Sequence, residues 1–256
     1  VALDVSHNPL GASGAATLAT AIRSLPYLTS LDCSGTSASD AGAAAIAQSL
    51  RPDAGDGTPP PLAALAMTGC SIKAPGGAAF TALLQAPGAL PHLLELGLGW
   101  NNIRGDEAAA LAQAALSFRG GQLARFCGLP LASLRRGELP PVPPLSERDR
   151  RRRPIVDPRE ELHLQGCGCG PPGAHALAAL LPALAARYRL RAIVLPYQDL
   201  GDDGAIAIAS AAAAHCPELS FVMLSRNDVG HAATSQLRAL LPDLDDMALR
   251  INNRGG

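Results

Sequence analysis

The chain has 256 residues, 48% of them hydrophobic and 17% charged, with a formal net charge of -1 at pH 7. That length and apolar content suffice to bury a core and exclude a disordered tail. A charge so near zero supplies no global field to gather nucleic acid or an anionic membrane, and no run of about 18 apolar residues offers a membrane-spanning helix.

In chain order, the first element signal is Leu3-Asp4-Val5-Ser6-His7-Asn8-Pro9-Leu10-Gly11. Its residues define positions one to nine of a unit: apolar, any, apolar, any, any, Asn, any, apolar, Gly. The alternation predicts a short strand and the Gly a turn, and the Ala-rich stretch 14–25 predicts a helix. The unit returns with its first position at Leu31, Leu65, Leu96, Leu162, Ile193, Val222 and Met247, in steps of 28, 34, 31, 66, 31, 29 and 25 residues. The step of 66 conceals a ninth copy, Ala124 to Leu131, which fits least well because Leu129 at its sixth position cannot hydrogen-bond as Asn does. Helices are predicted over 41–50, 106–116, 173–184 and 204–214, with Leu177, Leu180, Leu181 and Leu184 at helical spacing.

The residue types have a physical logic. Alternate apolar residues point into the stack, and Asn or Cys at position six satisfies backbone groups of the loop. Alanine is about a fifth of the chain and aromatics are 3%, so helices and strands can pack in thin layers. Stacked units share a core that no single unit forms. Opening at Val1 inside a unit, without Met or a signal-peptide pattern, the chain is expected to be a fragment.

These blocks at 3, 96, 162, 193 and 222, with Gly11, Gly14 and Ala15, resemble the ribonuclease-inhibitor-like class of leucine-rich repeats. The resemblance implies an α/β solenoid, a horseshoe with parallel strands on the concave face and helices on the convex face, of about nine repeats. It implies one domain, 1–256, with irregular insertions at 51–61 and 137–158. Proteins with similar repeats include inhibitors, innate-immune receptors, Ran GTPase-activating proteins, and cytoskeletal or ciliary scaffolds.

The first insertion carries Pro59-Pro60-Pro61 and reads as a lengthened turn. The second carries Pro140, Pro141, Pro143 and Pro144, which forbid a regular helix, and then Arg148-Asp149-Arg150-Arg151-Arg152-Arg153. A run of arginines can serve nuclear import or a phosphate-rich partner, but one short run in a neutral chain reads first as a solvated loop.

Little chemistry is legible. Cys167-Gly168-Cys169 with His163 and His175 lacks the two-residue spacing and the second pair of a zinc site, and the template gives Cys167 to position six and Cys169 to an apolar position. Cys33 and Cys70 also fall on template positions, and the six cysteines show no disulfide framework, which points to a reducing compartment. There is no Gly-x-Ser-x-Gly and no phosphate loop around the single lysine, Lys73. Asp202-Asp203 fits the positive end of a helix dipole. No catalytic residue, metal or cofactor is therefore expected.

Positions two, four and five should face the concave surface. The candidate partner-binding residues there are Trp100, Tyr197, His7, Arg125, His163, Gln165, Met223, Arg226 and Arg250. For Trp100 the competing use is lateral packing over Gly97 and Gly99. The expected function is a non-catalytic scaffold that binds a protein partner, including a structural subunit of a larger, for example ciliary, assembly. The resemblance also admits a Ran-type GTPase-activating protein or the sensor region of a nucleotide-binding receptor. The expected location is cytoplasmic, cytoskeletal or ciliary sites included, with no membrane or nucleic-acid partner.

Overall fold

The computed structural model describes residues 1–52, 58–144, 154, 156–245 and 247–251. The arginine run 148–153 and part of the first insertion lie outside the described residues. Strands and helices alternate: β1 (Ala2–Asp4), α1 (Gly11–Ile22), β2 (Ser30–Asp32), α2 (Ser39–Ser49), β3 (Ala64–Ala66), α3 (Ala74–Gln85), β4 (Glu95–Gly97), α4 (Asp106–Ser117), β5 (Arg125–Phe126) and α5 (Leu131–Arg135). Then follow β6 (Glu161–His163), α6 (Gly170–Arg187), β7 (Ala192–Val194), α7 (Gly201–His215), β8 (Phe221–Met223), α8 (His231–Leu240) and β9 (Leu249–Arg250). No helix among the described residues is long and apolar enough to cross a membrane.

Every strand pair is parallel, and the strands lie in sequence order in two sheets, β1 to β5 and β6 to β9. First positions pair with first positions: Leu3 with Leu31, Leu65 with Leu31 and Leu96 with Leu65, then Leu162 with Ile193 and Ile193 with Val222. Two expected registers shift by two residues. Phe126, not Ala124, pairs with Leu96, and Leu249, not Met247, pairs with Val222. A strand has period two, so either register keeps the apolar face inward; in the fifth unit the much larger Phe126 takes the interior site in place of Ala124.

Positions one, three and eight form a continuous buried stack, as with Leu65, Met67 and Ile72 or Ile193, Leu195 and Leu200. Helices close the other side and approach tightly, since a Cβ on Gly42 would stand 2.6 Å from the Ala15 methyl. Position six is a cross-unit ladder. Asn101 Oδ1 accepts from Cys70 N (2.9 Å) and Ile72 N (3.1 Å), while its Nδ2 donates to Met67 O (2.8 Å). Asn227 repeats this with Gln198 N (2.8 Å) and Leu195 O (2.7 Å), and Gln198 Nε2 donates to Leu164 O (2.9 Å). These buried amides satisfy loop groups that would otherwise be stranded without water.

The fifth unit breaks the pattern. After β5 the chain folds back at once, with Phe126 and Leu129 exchanging N–H···O bonds of 3.1 and 2.9 Å, and α5 is barely one turn. The Arg135 guanidinium ties the unit down by donating to Gly121 O (2.7 Å), Leu123 O (2.7 Å) and Leu116 O (2.8 Å). α4 therefore packs directly on α6, and β5 does not pair with β6.

Across this joint the loop register slips. In four units the position-five N–H donates to a position-four carbonyl, His7 to Ser34, Gly35 to Thr68, Gly69 to Gly99 and Tyr197 to Ser225, but Trp100 N donates to Gly168 O, at position seven (3.1 Å). Acids also bind the two halves and neighbouring units. Asp203 accepts from Gly105 N (2.7 Å), Asp202 from Gly230 N (2.6 Å), and Arg104 reaches Asp228 (3.6 Å). The Asp202-Asp203 pair thus caps the starts of neighbouring helices, an addition to the dipole reading of its own helix.

Candidate functional site

Position five has left-handed backbone in seven units. Gly35, Gly69 and Gly166 fill it at φ 67°, 63° and 64°, but His7, Trp100, Tyr197 and Arg226 hold it at φ 56°, 53°, 57° and 60°. An L-residue there costs about 1 kcal/mol or more relative to Gly. Side chains are thus kept where Gly is the easier choice, and they point outward. Trp100 is 46% exposed and Tyr197 47%.

The rings are held differently. The Trp100 indole lies against the backbone of Gly168, where an added Cβ would stand 1.8 Å from Nε1. Its lateral packing is therefore on the sixth unit, across the joint, and not on Gly97, which faces Ala66 and Thr68. Tyr197 has the Arg226 guanidinium over its ring at 5.5 Å from the centroid, a cation–π contact that steadies both. His7 leans on Gly35, whose Cβ would fall 2.8 Å from its Nδ1.

The remaining candidates divide between two strand faces. On the first sheet, exposed Arg125 lies 3.6 Å from Glu95 beside a groove of about 350 Å³ that Asp32, Ala66, Thr68 and Gly97 help to line. Gln165, at position four of the sixth unit, is exposed. On the second sheet the same face is closed. Ala192, Val194 and Phe221 form a small buried cluster against which Val156 and half-buried Met223 pack. His163 is buried there, 2.8 Å from Glu161, with its Nε2 enclosed and, among the described residues, without a hydrogen-bond partner. Arg250 is half-buried, 5.8 Å from the centroid of the Phe221 ring. His163 thus does not stand on an open surface, because its neighbours at matching positions are apolar and are themselves covered. The runs Ala192-Ile193-Val194-Leu195 and Phe221-Val222-Met223-Leu224 carry that signal in the sequence: unbroken apolar strands are buried on both faces.

The cysteines behave as template residues. All six are unpaired. Cys167 Sγ donates to Gln198 Oε1 (2.7 Å), so it occupies the ladder as expected for position six, and Cys169 is buried. Hydrogen bonding from Cys169 holds the Cys167 thiol below its ordinary value and pushes the Cys169 thiol up. Burial pushes Cys33 and Cys127 up to about 12. Among the described residues no group of three or more His, Cys, Asp or Glu side chains could hold a metal ion.

A family model described as Leucine Rich repeat matches residues 1–19, which hold β1, its loop and most of α1. No curated protein matches the chain. The family match and the recurrence of the same strand–loop–helix unit support a leucine-rich-repeat protein, an architecture suited to protein–protein interaction.

Proposed function

We propose that this chain is a non-catalytic scaffold that docks a protein partner along its row of position-five side chains. In this reading 1–256 is one horseshoe-shaped domain of nine repeats, of the ribonuclease-inhibitor-like class, interrupted at 51–61 and 137–158. The fifth repeat is shortened. Trp100 and Tyr197 are the anchors, Arg226 and His7 extend the row, and Gln165 and Arg125 form its polar margin. His163, Met223 and Arg250 support the covered strand face and do not meet the partner directly. Six unpaired cysteines suit a reducing compartment such as the cytoplasm.

The observation that carries the reading is the retention of four large side chains at left-handed φ, two of them half-exposed rings, where three other units use Gly. Tyr and Trp contribute most when a partner buries them, and a rigid backbone already orders them.

The sequence supplies its own test variant. Tyr197→Gly with Arg226→Gly gives the seventh and eighth units the residue found at Gly35 and Gly69. The double variant should melt within a few degrees of wild type and lose the partner that the immobilised wild-type chain captures. A folded double variant that still captures it at equal yield overturns the reading.

A further inference from the structure

Three of the six cysteines meet where the two sheets join. A Cβ on Gly128 would stand 2.8 Å from Cys167 O and 3.0 Å from Cys167 Cβ, and one on Gly173 would stand 2.5 Å from Cys169 Cβ and 3.4 Å from Cys127 Cβ. One residue separates Cys167 from Cys169, so their Cα atoms lie at most about 7 Å apart even in extended chain. That residue, Gly168, is left-handed at φ +57°, a turn that shortens the span into the roughly 4.4–6.8 Å a disulfide bridges.

The thiols differ in access and in partners. Cys167 is half-buried and helps to line the first-sheet groove, while the other five cysteines are buried. Its S–H donates to Gln198 Oε1 (2.7 Å), and the Cys169 thiol donates to its sulfur. The Cys127 sulfur is engaged instead by the Leu98 backbone. Cys70 also reaches Cys33 O (3.0 Å), but at 0% and 1% exposure neither of that pair meets solvent. An accessible thiol whose anion is favoured by a neighbouring donor, with a second thiol in reach, is the arrangement of a peroxide-reactive cysteine and its resolving partner.

We propose that Cys167 and Cys169 form a dithiol that a hydroperoxide oxidises to a disulfide, and that closure of this bond releases Trp100 from Gly168. The Cys167 thiolate attacks the O–O bond of hydrogen peroxide, takes one oxygen as a sulfenic acid and expels hydroxide. Cys169 Sγ then attacks Cys167 Sγ, the hydroxyl leaves with the Cys169 proton as water, and an S–S bond of about 2.05 Å forms. Hydroxide recovers the proton that Cys167 gave up, so two thiols lose two electrons and the peroxide becomes two molecules of water. Closure draws Cys167 Sγ off Gln198 and turns the peptide groups on either side of Gly168. Gly168 O is the acceptor of the Trp100 N–H (3.1 Å) and its Cα lies under the indole, so the ring loses its seat. Where Trp100 anchors a partner, oxidation then loosens docking; that consequence rests on the scaffold reading, whereas the disulfide and the release of the ring do not.

The test treats the reduced full chain with a small excess of hydrogen peroxide, then alkylates and digests it for mass spectrometry. The peptide spanning 167–169 should lose the mass of two hydrogens. The native emission of Trp100, the only tryptophan, should shift to the red and return with dithiothreitol. Cys169→Ser should instead give a dimedone adduct at Cys167 and no reversible shift, and Cys127→Ser should close the bond as wild type does. A folded wild-type chain in which Cys167 stays free, or pairs with Cys127, overturns the assignment. A closed Cys167–Cys169 bond with unchanged emission overturns the coupling to Trp100. These readouts are taken on the chain alone, so their failure and that of partner docking are separable.

Discussion

Replacing Gly168 by Ala should loosen the joint between the two sheets, and the magnitude can be built from two terms. Gly168 has φ +57°, a conformation in which Ala is disfavoured by about 1 kcal/mol. The new Cβ would also stand 1.8 Å from Trp100 Nε1 and 2.2 Å from Cε2, so the indole must leave. Trp100 is 46% exposed, so slightly more than half of its surface lies against protein. For a side chain of roughly 250 Å² that is about 130 Å², or about 3 kcal/mol at about 25 cal/mol per Å². Partial repacking reduces the sum, and a loss of about 2–4 kcal/mol is expected. Gly166→Ala is the control: φ is +64° with nothing within 4 Å of the new methyl, so only the backbone term of about 1 kcal/mol applies. Trp100 is the only tryptophan, so urea unfolding read by its fluorescence reports both stability and the local environment. Gly168→Ala should also shift the native emission to the red. Equal stability loss in the two variants, with unchanged emission, would refute the argument.

Three further outcomes follow. Asn101→Ala strands the N–H groups of Cys70 and Ile72 and the carbonyl of Met67, all buried, and should lose about 3 kcal/mol in chemical denaturation. With iodoacetamide at pH 8, mass spectrometry should find Cys167 modified first, and Cys33 and Cys127, pushed up to about 12, at least about 100-fold more slowly. Burial raises the Asp199 carboxyl above the ordinary 3.8, with Arg104 opposing and Asp228 adding to the rise. The folded chain then holds that proton more tightly than the unfolded chain does, so Asp199 subtracts stability as pH rises above its unfolded value. Asp199→Asn should therefore gain stability relative to wild type between pH 4 and pH 7 in thermal melts; a difference constant across that range would contradict the sign.

Much of the architecture was legible because each unit repeats one pattern. Seven of the nine first positions read from the sequence fall on the strand residues that pair, and position six forms the ladder, with Gln198 and Thr36 also filling it. Two things escaped a local reading. The alternation of Ala124 with Phe126 and of Met247 with Leu249 satisfies either register, and only stacking on Leu96 and Val222 decides. The covering of the second strand face depends on a long-range contact, Val156 on Val194 and Phe221, that no template position contains. The left-handed row was half visible, since Gly at 35, 69 and 166 marks the conformation that His7, Trp100, Tyr197 and Arg226 share, although side-chain type alone gives no φ.

The scaffold reading requires that a partner seats on the position-five row. Hydroxyl-radical footprinting of the chain alone and in complex with its captured partner tests it most directly, because Trp and Tyr report their own exposure. Oxidation of Trp100 and Tyr197 should fall at least about fivefold in the complex while that of Tyr27, at the far β1 end, is unchanged. Unaltered oxidation of both rings in a saturated complex would contradict it.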